Sequence, residues 1–159
     1  MDFRVGFGYD VHRLAEGNEL WLGGIKIYHS KGSIAHSDGD VLIHAICDAF
    51  LGAAGLRDIG SQFPDTSDEF RGIDSKILLQ RTYDLVIKKG YALVNIDSTI
   101  AAQRPKLSPH IPEMVNVLAK VLGADPDQVS IKATTTEKLG FEGREEGISA
   151  QAVVLLKKN

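Results

Sequence analysis

Asp10 and His12 stand two residues apart in FRVGFGYDVH, residues 3–12. Phe3, Val5, Phe7, Tyr9 and Val11 alternate there with Arg4, Gly6, Gly8, Asp10 and His12, the period of a strand. The carboxylate and the imidazole therefore project from one face, and the two glycines leave room beside them. Such a pair can ligate one metal ion. A third donor, His44, lies in HSDGDVLIHAICDAFLGAAG, residues 36–55, midway between Asp40 and Asp48. That four-residue spacing places all three side chains on one stripe of a helix. Nearly every other position from 41 to 51 is apolar, which marks the helix as buried. An unpaired charge in a core costs several kcal/mol, so the stripe needs partners. They are a metal, a substrate or a charged group, unless the three are an N-cap carboxylate, a satisfied histidine and a hydrogen-bonded aspartate. Two histidines and one carboxylate leave the fourth tetrahedral position of a zinc ion open, the pattern of catalytic sites. Cys47 lies off the stripe and is the only cysteine, so neither thiolate ligation nor an intrachain disulfide is expected.

Those residues must be held by something. The helix begins near Asp38 or Asp40 and ends at Ala53-Ala54-Gly55. Before it, residues 19–27 read as a hairpin with Gly23-Gly24 as a two-residue turn, Trp21 included as a structural residue. After it, residues 56–73 form a loop rich in Asp, Gly and Pro, of a length that is often functional. A second helix runs from an Asp74 N-cap to Gly90, burying Ile77, Leu78, Leu85 and Val86. A strand over 91–102 turns Val94, Ile96, Ser98 and Ile100 inward, and residues 103–107 continue extended across a proline. Ser108-Pro109 reads as an N-cap with proline at the first helical position. The third helix buries Ile111, Met114, Val115, Leu118 and Leu122 and stops at Gly123. Residues 129–133 form a short strand, residues 134–141 a hydroxyl-rich turn, and a last strand runs to about Leu156. The turn offers either oxygens for a phosphate and a hard cation or an ordinary threonine N-cap. The order predicts one α+β domain over 1–159, with helices packed on one face of a mixed sheet.

The chain is 159 residues long, enough for one sizeable core, and its 43% hydrophobic and 25% charged content is that of a globular protein. A net charge of −3 argues against a general nucleic-acid or membrane-surface binder. No run of about 18 apolar residues exists to span a membrane, and no signal or transit peptide precedes the first strand. A bacterial-type cytoplasmic protein is expected, although a processed plastid protein would read the same.

Five stretches resemble one family: GYDVH at 8–12, AHSDGD at 35–40, FPDT at 63–66, PKL at 105–107 and KATTTEKLG at 132–140. Together they are similar to the 2-C-methyl-D-erythritol 2,4-cyclodiphosphate synthases of the non-mevalonate isoprenoid pathway, in an order that runs from about residue 4 to 156. The resemblance implies a phosphorus-oxygen lyase that is a homotrimer, with active sites between subunits. Its substrate would be 4-diphosphocytidyl-2-C-methyl-D-erythritol 2-phosphate, and its products the cyclodiphosphate and CMP. Asp10, His12 and His44 match the ligands of one zinc ion per subunit. Glu137 matches the ligand of a second cation, magnesium or manganese, that comes with the substrate phosphates. His36 and Thr135 match residues assigned to transition-state support. For the methylerythritol end, the matches are Asp58, then Phe63, Pro64, Asp65, Thr66 and Ser67, while Ser37, Ile59 and Gly60 match further substrate-binding positions. For the cytidine end they are Ala102, Gln103, Arg104, Pro105, Lys106, Leu107 and Ser108. Thr134 and Thr136 flank the catalytic threonine, and Phe141 and Arg144 match positions further along the site. Some members carry a fused cytidylyltransferase, for which this chain has no room.

Two departures stand out. Arg104 occupies a position where a small residue is common, and Gln151 one where glutamate is usual, near a ligand channel on the trimer axis. Apart from the resemblance, the residues leave three readings open: a phosphoryl-transfer enzyme, a zinc hydrolase that activates water, and a structural metal site in a binding protein.

Overall fold

The computed structural model describes residues 2–159. Strand β1 (Phe3–Glu16) and strand β7 (Gly147–Lys158) form its centre, pairing antiparallel from Phe3 opposite Lys157 to Arg13 opposite Gly147. On the far side of β7 lies β5 (Tyr91–Ala101), antiparallel to it, and then β6 (Val129–Thr134), parallel to β5. The short β4 (Lys31–Ser33) closes the other edge against β1, giving a five-stranded mixed sheet in the order β4-β1-β7-β5-β6. The sequence gives no sign of β4, whose three residues have no alternation to show. Strands β2 (Leu20–Leu22) and β3 (Ile25–Ile27) make the expected hairpin, and both turn glycines take positive φ.

Three long helices cover one face of the sheet: α1 (Val41–Ala53), α3 (Ser75–Lys88) and α4 (Ile111–Leu122). The loop between α1 and α3 includes one turn of helix, α2 (Ile59–Gln62), and a second short turn, α5 (Gly140–Gly143), precedes β7. The core is thus single-layered. Phe50, Ile43, Ile46, Leu79, Met114 and Leu118 from the helices meet Ile96, Ile100, Val154 and Leu156 from the sheet. Helix α1 reaches the sheet because Gly6 and Gly8 have no side chains: a Cβ on either would stand 1.8 Å from the carbonyl oxygen of Ala49 or Ala45.

The buried face of β1 is therefore its glycine face. Its apolar face is open, with Val5 69% and Phe7 62% exposed beside Phe3, Tyr9 and, on β7, Val153.

Several boundaries differ from the sequence expectations for local reasons. A bulge between Leu93 and Asn95 shifts the register of β5, so Tyr91 and Leu93 point inward where Val94 was expected. Ile77 is exposed; Leu78, Leu79, Thr82 and Val86 form the buried stripe of α3. Ser108 makes no cap: Ser108–His110 is a 3-10 turn without a side-chain cap bond, and α4 follows at Ile111. No helix starts at Thr134–Thr136 either, since α5 begins after Leu139.

Candidate active site

Strand β1 carries Asp10 and His12 toward the end of its pairing with β7, and the close approach of α1 sets His44 above them. Asp10 Oδ2, His12 Nε2 and His44 Nδ1 form a triangle, 3.1 Å on each side. Donors about 2.0–2.1 Å from a tetrahedral zinc ion lie about 3.3 Å from one another, so the triangle fits such an ion with little movement. Two imidazole nitrogens that converge on one carboxylate oxygen are also the donor chemistry of a divalent metal. Among the described residues, these three alone make such a group.

Without a metal, the triangle is held by its own charges. Burial works to raise the Asp10 pKa, but hydrogen bonds from His12 and His44 outweigh it and hold the carboxyl at about 2. Burial likewise works to lower that of His44, and the Asp10 carboxylate overrides it, so the imidazole sits above its ordinary value. Because the Asp10 value is depressed below 3.8, its contribution to stability is whole above about pH 4 and disappears as pH falls toward 2. The gap corresponds to about 2 kcal/mol. Acid unfolding of the chelator-treated protein checks this. The stability advantage over Asp10→Asn should shrink by about that amount between pH 6 and pH 2; an advantage that stays flat would contradict the ion pairing.

The rest of the stripe divides its work. Asp40 is fully buried and caps α1, accepting from Ile43 N at 3.0 Å. It also accepts from Gly23 N at 3.0 Å and Gly24 N at 2.7 Å, tying the hairpin turn to the helix. Asp48 accepts from Ile59 N at 2.8 Å and so fixes the start of α2. Neither is a metal donor. Asp58 caps α2 through Ser61 N and Oγ, both at 2.8 Å.

His44 Nε2, the nitrogen that faces away from the triangle, meets Ser75 Oγ at 3.0 Å and Ser37 Oγ at 3.2 Å. Ser75 Oγ in turn donates to Asp38 Oδ1 at 2.5 Å. Spacing gives no hint of Ser75, which reads only as the residue after a helix cap and arrives here from 31 positions away.

A cleft of about 490 Å³ opens over the triangle. His36, Ser37, Asp48, Asp58, Ile59, Gly60, Phe63 and Asp65 line it together with the three donors. Phe70 and Ile73, which the sequence did not single out, and Leu78, expected only as a core residue, give it an apolar wall. Pro64, Thr66 and Ser67 belong to the same loop but do not line the cleft. A separate cleft of about 360 Å³ is lined by Ala102, Gln103, Pro105, Lys106, Leu107, Ser108, Thr134 and Thr135. Gln103 Oε1 accepts from Lys138 N at 3.0 Å, which ties the two loops of this second cleft together. Glu137 lies on the second of these loops with positive φ, outside the metal-donor group. Thr136, Arg104, Phe141 and Arg144 line neither cleft. Arg144 pairs with Glu146 at 2.8 Å, and the Phe141 ring packs where a Cβ on Gly147 would fall.

Known proteins are similar to this chain over nearly its whole length. The YgbB family pattern matches residues 3–157. The 2-C-methyl-D-erythritol 2,4-cyclodiphosphate synthase of Bacteroides fragilis is 64% identical over 158 residues, 99% of each chain. The bifunctional IspDF of Campylobacter jejuni superposes with a TM-score of 0.96 at 46% identity; the match covers 99% of this chain and 43% of that longer one. A 2C-methyl-D-erythritol-2,4-cyclodiphosphate synthase in a CDP-bound form gives 0.90 at 40% identity, over 97% of this chain and 100% of that one. The chain belongs to the YgbB family, that of the 2-C-methyl-D-erythritol 2,4-cyclodiphosphate synthases.

Proposed function

We propose that the chain is a lyase of the non-mevalonate isoprenoid pathway. It converts 4-diphosphocytidyl-2-C-methyl-D-erythritol 2-phosphate to the 2,4-cyclodiphosphate and CMP. The observation that carries this is the 64% identity, end to end, with a synthase of that name. The donor triangle at the floor of a cleft and the CDP-bound form of a 40%-identical relative support it.

An oxygen of the 2-phosphate attacks the β-phosphorus, and the bond to the CMP oxygen breaks. The attacking oxygen is already anionic, so the task of the protein is to fold the substrate back and to offset crowded negative charge. Asp10, His12 and His44 would hold zinc, and Glu137 would hold magnesium or manganese. Bound there, the cations supply positive charge to the attacked phosphate and the leaving group. His36, which lines the metal cleft, and Thr135, which lines the second, donate hydrogen bonds to phosphate oxygens. Asp58 and residues 63–67 hold the methylerythritol hydroxyls. Residues 102–108, Lys106 among them, wall the cytidine, with Thr134 and Thr136 beside the diphosphate.

The working unit in this reading is a homotrimer. Within one protomer the cytidine wall lines a different cleft from the metal triangle, and Glu137 is outside the triangle's donor group. A neighbour that brings its residues 102–108 and 134–137 to this cleft would complete one site. The open apolar face of β1 and β7 provides the surface for such packing, with Gln151 on the same face opposite Tyr9. Phe141 and Arg144 would then lie toward the axis. No described helix is long and apolar enough to cross a membrane. With bacterial enzymes as close relatives, we place the enzyme in the cytoplasm.

Phosphorus NMR of the zinc-loaded protein with this substrate and magnesium tests the reaction. Cyclic diphosphate and CMP should appear together. CMP with a linear phosphate would mean that water is the nucleophile and that the protein is a hydrolase. No turnover with zinc bound would leave a binding protein.

A further inference from the structure

We propose that Ser75 and Asp38 are positioning residues for the metal centre, acting on His44 through a directed chain of hydrogen bonds. The inference rests on the metal reading of the Asp10, His12 and His44 triangle. His44 can present only one nitrogen to that triangle, and the geometry identifies it as Nδ1, which is 3.1 Å from both other donor atoms. A metal-bound imidazole carries its proton on the other nitrogen, and how that proton is held sets the ring orientation and the basicity of the ligand.

The direction of the chain follows from the far end. Asp38 takes part in the chain as an acceptor throughout. Its Oδ2 accepts from Ser75 N at 2.8 Å, and its Oδ1 accepts from Asp40 N at 3.1 Å and from the Ser75 hydroxyl at 2.5 Å. With its proton committed to Asp38, Ser75 Oγ has lone pairs left, and one of them faces His44 Nε2 at 3.0 Å. The order is then His44 Nε2–H to Ser75 Oγ, and Ser75 O–H to the Asp38 carboxylate. Ser75 is fully buried, so water does not compete for the bond. Ser37 Oγ lies near the same nitrogen at 3.2 Å, but it is half-buried and itself accepts from Gly39 N. It is the weaker partner of the two. Ser75 is also the first residue of α3, and Asp38 N donates to Ile73 O at 3.4 Å. The chain thus fastens the end of the loop that walls the cleft to the imidazole at its floor.

The test compares zinc affinity of the full-length protein, by chelator competition, in Ser75→Ala, Asp38→Asn and the double variant, with metal-free thermal unfolding alongside. Each single change should weaken zinc about 10- to 100-fold, the usual effect of losing a partner behind a ligand. Asp38 touches no metal donor, and the serine hydroxyl is its hydrogen-bonded link to His44. The double variant should therefore bind zinc as weakly as Ser75→Ala alone, and no weaker. Ser75→Thr, which keeps the hydroxyl, should bind within a few-fold of the wild type. In NMR of the zinc-loaded protein, the slowly exchanging His44 Nε2–H signal should be present in the wild type and in Ser75→Thr, and lost in Ser75→Ala. Additive losses in the double variant, or unchanged zinc affinity in Ser75→Ala, would overturn the chain. Should Ser75→Ala not fold, Asp38→Asn with unaltered affinity overturns it as well. A wild-type protein that holds no zinc would remove the metal reading and this inference together. A wild type that holds zinc no more tightly than its Ser75→Ala form removes the inference alone.

Discussion

His44→Ala should lose zinc and turnover together, with turnover down about a thousandfold or more. His44 supplies one corner of a three-donor triangle, and alanine leaves Asp10 and His12 with two donors for an ion that needs three from the protein. Positive charge at the attacked phosphate is worth several kcal/mol in such reactions, and about 4 kcal/mol corresponds to that factor in rate. The loss should not come from unfolding. His44 stands at the edge of the core, and its ring contacts are the polar groups of Asp10, His12, Ser37 and Ser75. Metal content and CMP release, measured on one folded preparation, decide the matter. Full activity in a zinc-free His44→Ala protein would sink the metal assignment.

Gly8→Ala should have the larger effect on stability, a loss on the order of 3–5 kcal/mol, although it adds only one methyl group. The new Cβ would stand 1.8 Å from Ala45 O and 2.8 Å from Ala49 N, where ordinary contacts begin at 3.4 Å. Those atoms are main chain inside α1 and cannot rotate away, so the helix must rise from the sheet along its length. Ordinary overpacking costs about 1–3 kcal/mol, and an immovable obstacle places this change above that range. Lifting α1 also carries His44 away from Asp10 and His12, so metal affinity should fall along with stability. Denaturant unfolding of the metal-free variant gives the first number. A change below about 1 kcal/mol would mean that α1 does not depend on this contact.

The same glycines show where the sequence could be read and where it could not. Alternation in residues 3–12 identified the strand, and the four-residue stripe identified the helix and its histidine. Both hold because period 2 and period 3.6 are properties of local backbone. Alternation does not say which face is covered. Burial follows the apolar side chains in most strands, but here helix main chain fills the space above Gly6 and Gly8 and leaves Val5 and Phe7 outside. The bulge at Val94 escaped for a similar reason: one added residue resets a period of 2 without changing composition. Asp40 and Asp48 were legible as buried charges in need of partners. Their partners, the amides of Gly23, Gly24 and Ile59, come from chain segments that no pattern on the helix could name. Ser75 is the extreme case, a residue with an ordinary local role whose partner is brought to it only by the packing of two helices.

The pairing of β1 with β7 also governs when the protein can fold during its own synthesis. The strand that bears Asp10 and His12 leaves the ribosome before the other strands described, and its longest partner lies more than 130 residues later, in register from Arg13 opposite Gly147 to Phe3 opposite Lys157. Until residues 147–158 emerge, β1 has only the three residues of β4 beside it, and the glycine face that should receive α1 belongs to an unpaired ribbon. Contacts this distant along the chain slow folding and leave strand edges uncovered meanwhile. The metal triangle, although all its donors lie in the first 44 residues, is therefore among the last parts of the molecule to become rigid.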